Sequence, residues 1–79
     1  MDPLVKAAIE RIGDAIYGRA LSGYTAIRAE DVVAVCAAVK PDKQTGTVKA
    51  MLKGAANSGT LGEIHQRTDH LAHLLEMAK

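Results

Sequence analysis

Phenylalanine and tryptophan are absent from this 79-residue chain, and Tyr17 and Tyr24 are its only aromatic residues. The stacking platforms on which most single-strand and RNA binders seat their bases therefore have almost nothing to be built from. There is one cysteine, Cys36, which excludes an intramolecular disulfide and a thiolate zinc site of the usual kind. No apolar run approaches the roughly 20 residues of a membrane span, and the Met1-Asp2-Pro3 start has no basic region followed by an apolar stretch. The expectation is a cytoplasmic protein with no membrane partner. Net charge is also nearly absent, at +1, so the chain as a whole is not a strongly basic or acidic binder.

What is present fits one small globular domain spanning residues 1–79. Hydrophobic residues make up 48% and charged residues 24% of the chain, which excludes disorder throughout. The aliphatic side chains are few for a self-sufficient core, and many of the apolar positions are alanine, which adds packing surface but little volume. Self-association would supplement such a core.

Helical spacing organises most of the sequence. Asp2 is a cap candidate and Pro3 suits a first turn; Leu4, Val5, Ala8, Ile9, Ile12, Ala15 and Ile16 then recur on one face. This predicts a helix over about residues 3 to 21, weakened by Gly13 and Gly18 and stopped by Ser22-Gly23. Tyr24 to Arg28 alternates like a short strand. Glu30 and Asp31 then sit where the dipole of a second helix, about 29 to 40, favours acids. Val32, Val35, Cys36 and Val39 form its stripe, and Pro41 ends it. After a polar turn, Thr45 or Thr47 can cap a third helix, about 45 to 57, with Val48, Met51, Leu52 and Ala55 inward and Asn57-Ser58-Gly59 closing it.

The last twenty residues admit two readings. Leu61, Ile64, Thr68, Leu71, Leu75 and Ala78 are spaced for one helix, with Thr60 and Glu63 as a capping box. Alternatively, Leu61 to Gln66 pairs as a strand with Thr25 to Arg28, Arg67-Thr68-Asp69 forms a polar tip, and the chain returns as a second strand or a terminal helix. Leu71, Ala72, Leu74, Leu75 and Met77 lack β-branching and favour a helix from about Asp69 to Ala78. No internal repeat is visible.

The stretch from Tyr24 to Ile64 resembles the winged helix-turn-helix class of DNA-binding domains. The likeness lies in extended Thr25-Ala26-Ile27, helix Ala29-Glu30-Asp31-Val32-Val33, a turn, Thr47-Val48-Lys49-Ala50-Met51-Leu52 and then Ser58-Gly59-Thr60-Leu61. It implies a mainly α fold: a three-helix helix-turn-helix core, a short β-hairpin wing if residues 60–77 fold that way, and a C-terminal helix. It also implies that the third helix enters the major groove, placing Gln44, Thr45, Thr47, Lys49 and Lys53 against duplex DNA.

Charge distribution supports the same surface independently. Residues 1 to 39 carry four basic and five acidic side chains, whereas residues 40 to 59 carry Lys40, Lys43, Lys49 and Lys53 against Asp42 alone. Phosphate contacts need clustered cations beside the element that meets the duplex, and Lys43, Gln44, Thr47, Lys49 and Lys53 are of suitable type. The bland reading is that lysines on an outer helix face are simply solvated. Few phosphate contacts make a weak monomeric binder, so specific binding calls for a dimer. The expected function is a small DNA-binding transcriptional regulator of the phage or mobile-element kind. The competing reading is a protein-interaction module or inhibitor, or a homodimer, joined through Leu71, Leu74, Leu75 and Met77, an apolar surplus on a short terminal helix.

Other chemistry is sparse. His65, His70 and His73 with Asp69 and Glu76 form the one cluster with metal-ligand chemistry, but three-residue steps drift around a helix and ordinary surface histidines explain them better. Cys36 lies on an apolar stripe and reads as a buried structural thiol. Gly54, Gly59 and Gly62 lack the lysine and hydroxyl ending of a phosphate loop. There is no triad and no carboxylate pair, so neither an enzyme nor a cofactor is expected.

Overall fold

The computed structural model describes residues 1–59 and 62–79. Among these the chain is mainly helical, with a small antiparallel sheet. The elements are α1 (Pro3–Ile16), β1 (Tyr24–Arg28), α2 (Ala29–Ala38), a 3-10 turn (Pro41–Lys43), α3 (Gly46–Asn57), β2 (Glu63–Arg67) and α4 (Thr68–Ala78). No helix among the described residues is long and apolar enough to cross a membrane.

Asp2 caps α1 as its position suggests, its carboxylate accepting from the Leu4 N–H at 2.9 Å. The helix stops at Ile16, five residues before the expected end. Tyr17 swings to extended ψ and Gly18 takes φ +73°, a conformation that costs a side-chain-bearing residue about 1–2 kcal/mol. Ala20 and Leu21 therefore belong to the connection. Similarly, α2 ends at Ala38 because Val39 and Lys40 turn extended ahead of Pro41, whose ring disfavours helical backbone before it. Thr45 caps α3, accepting from the Val48 N–H at 3.2 Å, and Gly59 follows the helix at φ +86°.

The two readings of the C-terminal segment resolve into strand then helix. β2 runs antiparallel to β1 with Tyr24 opposite Arg67, Ala26 opposite His65 and Arg28 opposite Glu63. The chain enters α4 at Thr68 with no intervening turn. Arg67-Thr68-Asp69 is thus a strand-to-helix junction rather than a hairpin tip, and β2 is followed by a helix rather than a second wing strand. Glu63 opens β2, which removes it from any helix cap; its proposed partner Thr60, like Leu61, lies outside the described residues.

The architecture also holds a repeat that the sequence hides. Residues 3–38 and 46–78 each run helix, strand, helix. β1 and β2 begin 39 residues apart, as do α2 and α4, and the paired residues Ala26 and His65 share that spacing. The strand pairing is therefore centred on equivalent positions, as in an approximate twofold. Val32 and Val35 of α2 correspond to Leu71 and Leu74 of α4, and all four are fully buried. Beyond Gly23 and Gly62, and Arg28 and Arg67 with their acidic partners Glu30 and Asp69, little side-chain identity survives between the halves, so the sequence barely marks the repeat.

The core gathers Ala8 and Ile12 of α1, Ile27 of β1, Val32, Val35 and Cys36 of α2, Val48, Met51 and Ala55 of α3, and Leu71 and Leu74 of α4. Burial pushes the Cys36 thiol up to about 11, which suits an inert packing group. Asp31 is 2% exposed and is bridged twice by Arg11, at 2.8 and 3.0 Å, tying α1 to α2. A backbone prediction follows at α3. Gly54 has ordinary φ and open space where a Cβ would stand, so Gly54→Ala should stabilise the fold by about 0.5–1 kcal/mol in urea unfolding. Gly18→Ala should lower stability, because its φ is positive.

Candidate nucleic-acid interface

α2, the 3-10 turn and α3 stand between β1 and β2, whose pairing closes this unit at its base. α3 packs chiefly on α2, which its Val48, Met51 and Ala55 stripe requires. At 100° per residue, the stripe leaves Gly46, Lys49, Ala50, Lys53, Gly54 and Asn57 on the opposite side, and all six are exposed. Lys49, Lys53 and Asn57 form a row along α3, with small side chains beside them.

The six residues expected to touch DNA divide into two groups. Lys43 sits in the 3-10 turn and is exposed. Gln44 precedes α3 and is committed to structure, its amide donating to the Val39 carbonyl at 3.0 Å where α2 has lost its next turn. Thr45 is the cap of α3, and its Oγ1 also lies 3.3 Å from His73 Nε2 of α4. Neither is free to read a base. Thr47, Lys49 and Lys53 are on the helix as expected. Lys40, Lys43, Lys49 and Lys53 are all exposed, and among the described residues none forms an ion pair. Three of the four arginines behave differently, Arg11 being held by Asp31, Arg28 by Glu30 and Arg67 by Asp69, while Arg19 donates only to the Ala15 carbonyl. Desolvation pushes the Asp69 carboxyl up, but the hydrogen bonds and charge of the Arg67 guanidinium, with the His70 backbone N–H, together outweigh it and hold the group below its ordinary range.

The apolar surface expected on α4 is not on offer. Leu71 and Leu74 are 0% exposed, and Leu75 and Met77 are half-buried against the same core. α4 packs on both α1 and α2, so a wider arc of it is covered than one stripe implies. Gly13 contributes to this closeness, since Leu75 Cδ1 lies 3.9 Å from where its Cβ would stand. Among the described residues the large apolar side chains that do face out are Met1, Leu4, Tyr17, Leu21 and Tyr24, none of them on α4.

The histidines are dispersed. His65 is exposed on the outer face of β2, His73 meets Thr45, and His70 lines a cleft. Among the described residues no group of three or more His, Cys, Asp or Glu side chains is placed to hold a metal ion. The cleft, of about 420 Å³, lies between α3, β2 and α4 and is lined by Gly46, Thr47, Ala50, Met51, Gln66 and His70. Sequence reasoning assigned Gln66 no role. Its signal was a polar residue on the inward row of a strand, legible only once the strand itself was certain. Comparison with protein-family models, with curated proteins and with solved structures finds no match to this chain.

Proposed function

We propose that this chain binds duplex DNA through α3 and the turn before it, in the role of a small transcriptional regulator. One observation carries the reading. Four lysines fall between residues 40 and 53 with Asp42 as the sole acid, and all four are exposed and free of ion pairs among the described residues, whereas Lys6, Arg19 and Lys79, also outside those ion pairs, are scattered singly along the chain. Such an arrangement keeps its charge available for phosphates. Thr47, Lys49, Lys53 and Asn57 carry the donors and acceptors that base edges require, and Gly46, Ala50 and Gly54 leave room for close approach of the backbone. With at most four phosphate contacts, the affinity of one copy is modest, and two copies on adjacent half-sites would supply specificity.

Fluorescence anisotropy of a labelled duplex tests this. Wild-type binding should weaken with added salt at a log–log slope of about −3 to −4 if all four lysines engage. Lys49→Glu with Lys53→Glu should reduce affinity by at least about tenfold at low salt. Unfolding free energy should move by no more than about 0.5 kcal/mol, since both side chains are exposed. No duplex binding in low salt, or a double variant that binds like wild type, sinks the reading.

A further inference from the structure

We propose that the cleft between α3, β2 and α4 is a seat for a phosphate group, held by Thr47, Gln66 and His70. The argument comes from comparing the two halves of the molecule. The first half has a cleft at the corresponding place, lined by Leu4, Ala8, Arg11, Glu30, Asp31 and Ala34, and there Arg11 spans from α1 to Asp31 on α2. There Arg11 and Asp31 satisfy one another.

In the second half the strand-to-helix register puts His70 where Asp31 stands and Gln66 where Ile27 stands. Ile27 is a buried core residue, so a polar side chain now occupies a position that the other half uses for packing. Among the described residues no ion pair crosses the gap: α3 contributes Gly46, Thr47, Ala50 and Met51 to the lining and contains no arginine. The hydrogen bond between the α3 cap and α4, Thr45 Oγ1 with His73 Nε2, uses none of Thr47, Gln66 and His70. The side chains of Thr47, Gln66 and His70, half-buried on three different elements, make no hydrogen bond to any other described residue. Met51, 3% exposed, also lines the cleft.

The donor set selects the ligand. A hydroxyl, an amide and an imidazole offer N–H or O–H groups from three sides, which matches the several oxygens of a tetrahedral oxyanion. The lining holds no carboxylate, unlike the first cleft with its Glu30 and Asp31. Lys49 and Lys53 occupy the flank of α3 next to Gly46 and Ala50, so the charge of a polyanion continues beyond the cleft. The shared chemistry is a phosphate, whether part of a duplex backbone or free in solution; only the first source rests on the DNA-binding reading.

NMR titration of the full chain separates the outcomes, with inorganic phosphate in one arm and a short duplex in the other. Phosphate should shift the Thr47 amide, the Gln66 side-chain amide and the His70 ring resonances saturably. Gln66→Glu, which keeps the side-chain shape but adds a like charge, and His70→Ala should each weaken phosphate at least about threefold with unchanged thermal midpoints. If the duplex moves the same resonances and phosphate competes with it, the seat takes a backbone phosphate. Saturable phosphate binding with a duplex that binds nowhere assigns the seat to free phosphate and refutes the DNA-binding reading. Duplex binding that depends on Lys49 and Lys53 while the cleft resonances stay still, in both arms, overturns the seat and leaves that reading standing. Shifts that are absent or do not saturate also overturn it.

Discussion

Leu74→Ala should cost about 2–5 kcal/mol of folding stability, against a total on the order of 4–12 kcal/mol for a domain of this length. Leu74 is 0% exposed and belongs to the cluster in which α4 meets α1 and α2. A short helix clamped on two sides has little freedom to collapse into the void, which places the cost toward the upper part of that range. Urea unfolding followed by circular dichroism measures it, and a thermal midpoint lowered by more than about 10 °C should accompany it. Leu74→Asp should leave no folded population, because an unpaired carboxylate would replace a core side chain. Had this leucine been a contact for a second copy, the aspartate variant would remain helical and simply become monomeric. A helical Leu74→Asp variant with near wild-type stability would show that α4 does not pack as described.

The central helices were legible because their inward residues obey the helical period and their caps are local. Val32, Val35 and Cys36 on α2, and Val48, Met51 and Ala55 on α3, could be placed without knowing their partners. Asp2 and Thr45 are caps whose hydrogen bonds reach only two or three residues along the chain. Helix ends were less legible. Nothing in the spacing of α1 distinguishes Ile16 from Leu21 as its last turn; the left-handed Gly18 decides it.

Residues 62–79 defeated periodicity for a specific reason. Ile64 and Gln66 face inward at the strand period of two, and Thr68, Leu71 and Leu74 continue at the helical period without a turn between. Reading the two periods as one gave Leu61, Ile64, Thr68, Leu71 and Leu75 an apparent helical stripe and left Leu74 outside it. No capping side chain marks the junction, since Arg67 makes no cap hydrogen bond. Asp31 was legible as a first-turn acid but not as a buried one, because its partner Arg11 lies twenty residues away on another helix. The same holds for Gln66 and His70, whose relation to Thr47 exists only after β1 and β2 pair. Lysine exposure on α3, by contrast, followed directly from the inward stripe.

The junction between β2 and α4 is fixed by a buried hydroxyl pair, and its removal is the second large effect expected. Thr25 of β1 and Thr68 at the start of α4 are each 1% exposed, with their Oγ1 atoms 2.8 Å apart. One hydroxyl donates and the other accepts, and no buried side-chain polar atom among the described residues is left without a partner. Thr25→Val keeps the side-chain shape but strands the Thr68 hydroxyl away from water, at a cost of about 1–3 kcal/mol. Thr68→Val should cost a similar amount. With both replaced, no stranded group remains, so the double variant should be markedly less destabilised than the two singles combined, with a coupling of about 0.5–2 kcal/mol in a double-mutant cycle. Additive costs would mean that each hydroxyl finds its partner elsewhere and that the pair does not hold the junction. The Thr68 N–H also donates to the Gly23 carbonyl at 2.9 Å, so α4 is pinned to β1 by its side chain and to the residue just before β1 by its backbone. That pinning determines where the strand period gives way to the helical one. It therefore also determines that His70, two residues on, lines the cleft opposite α3 rather than facing solvent beside His65.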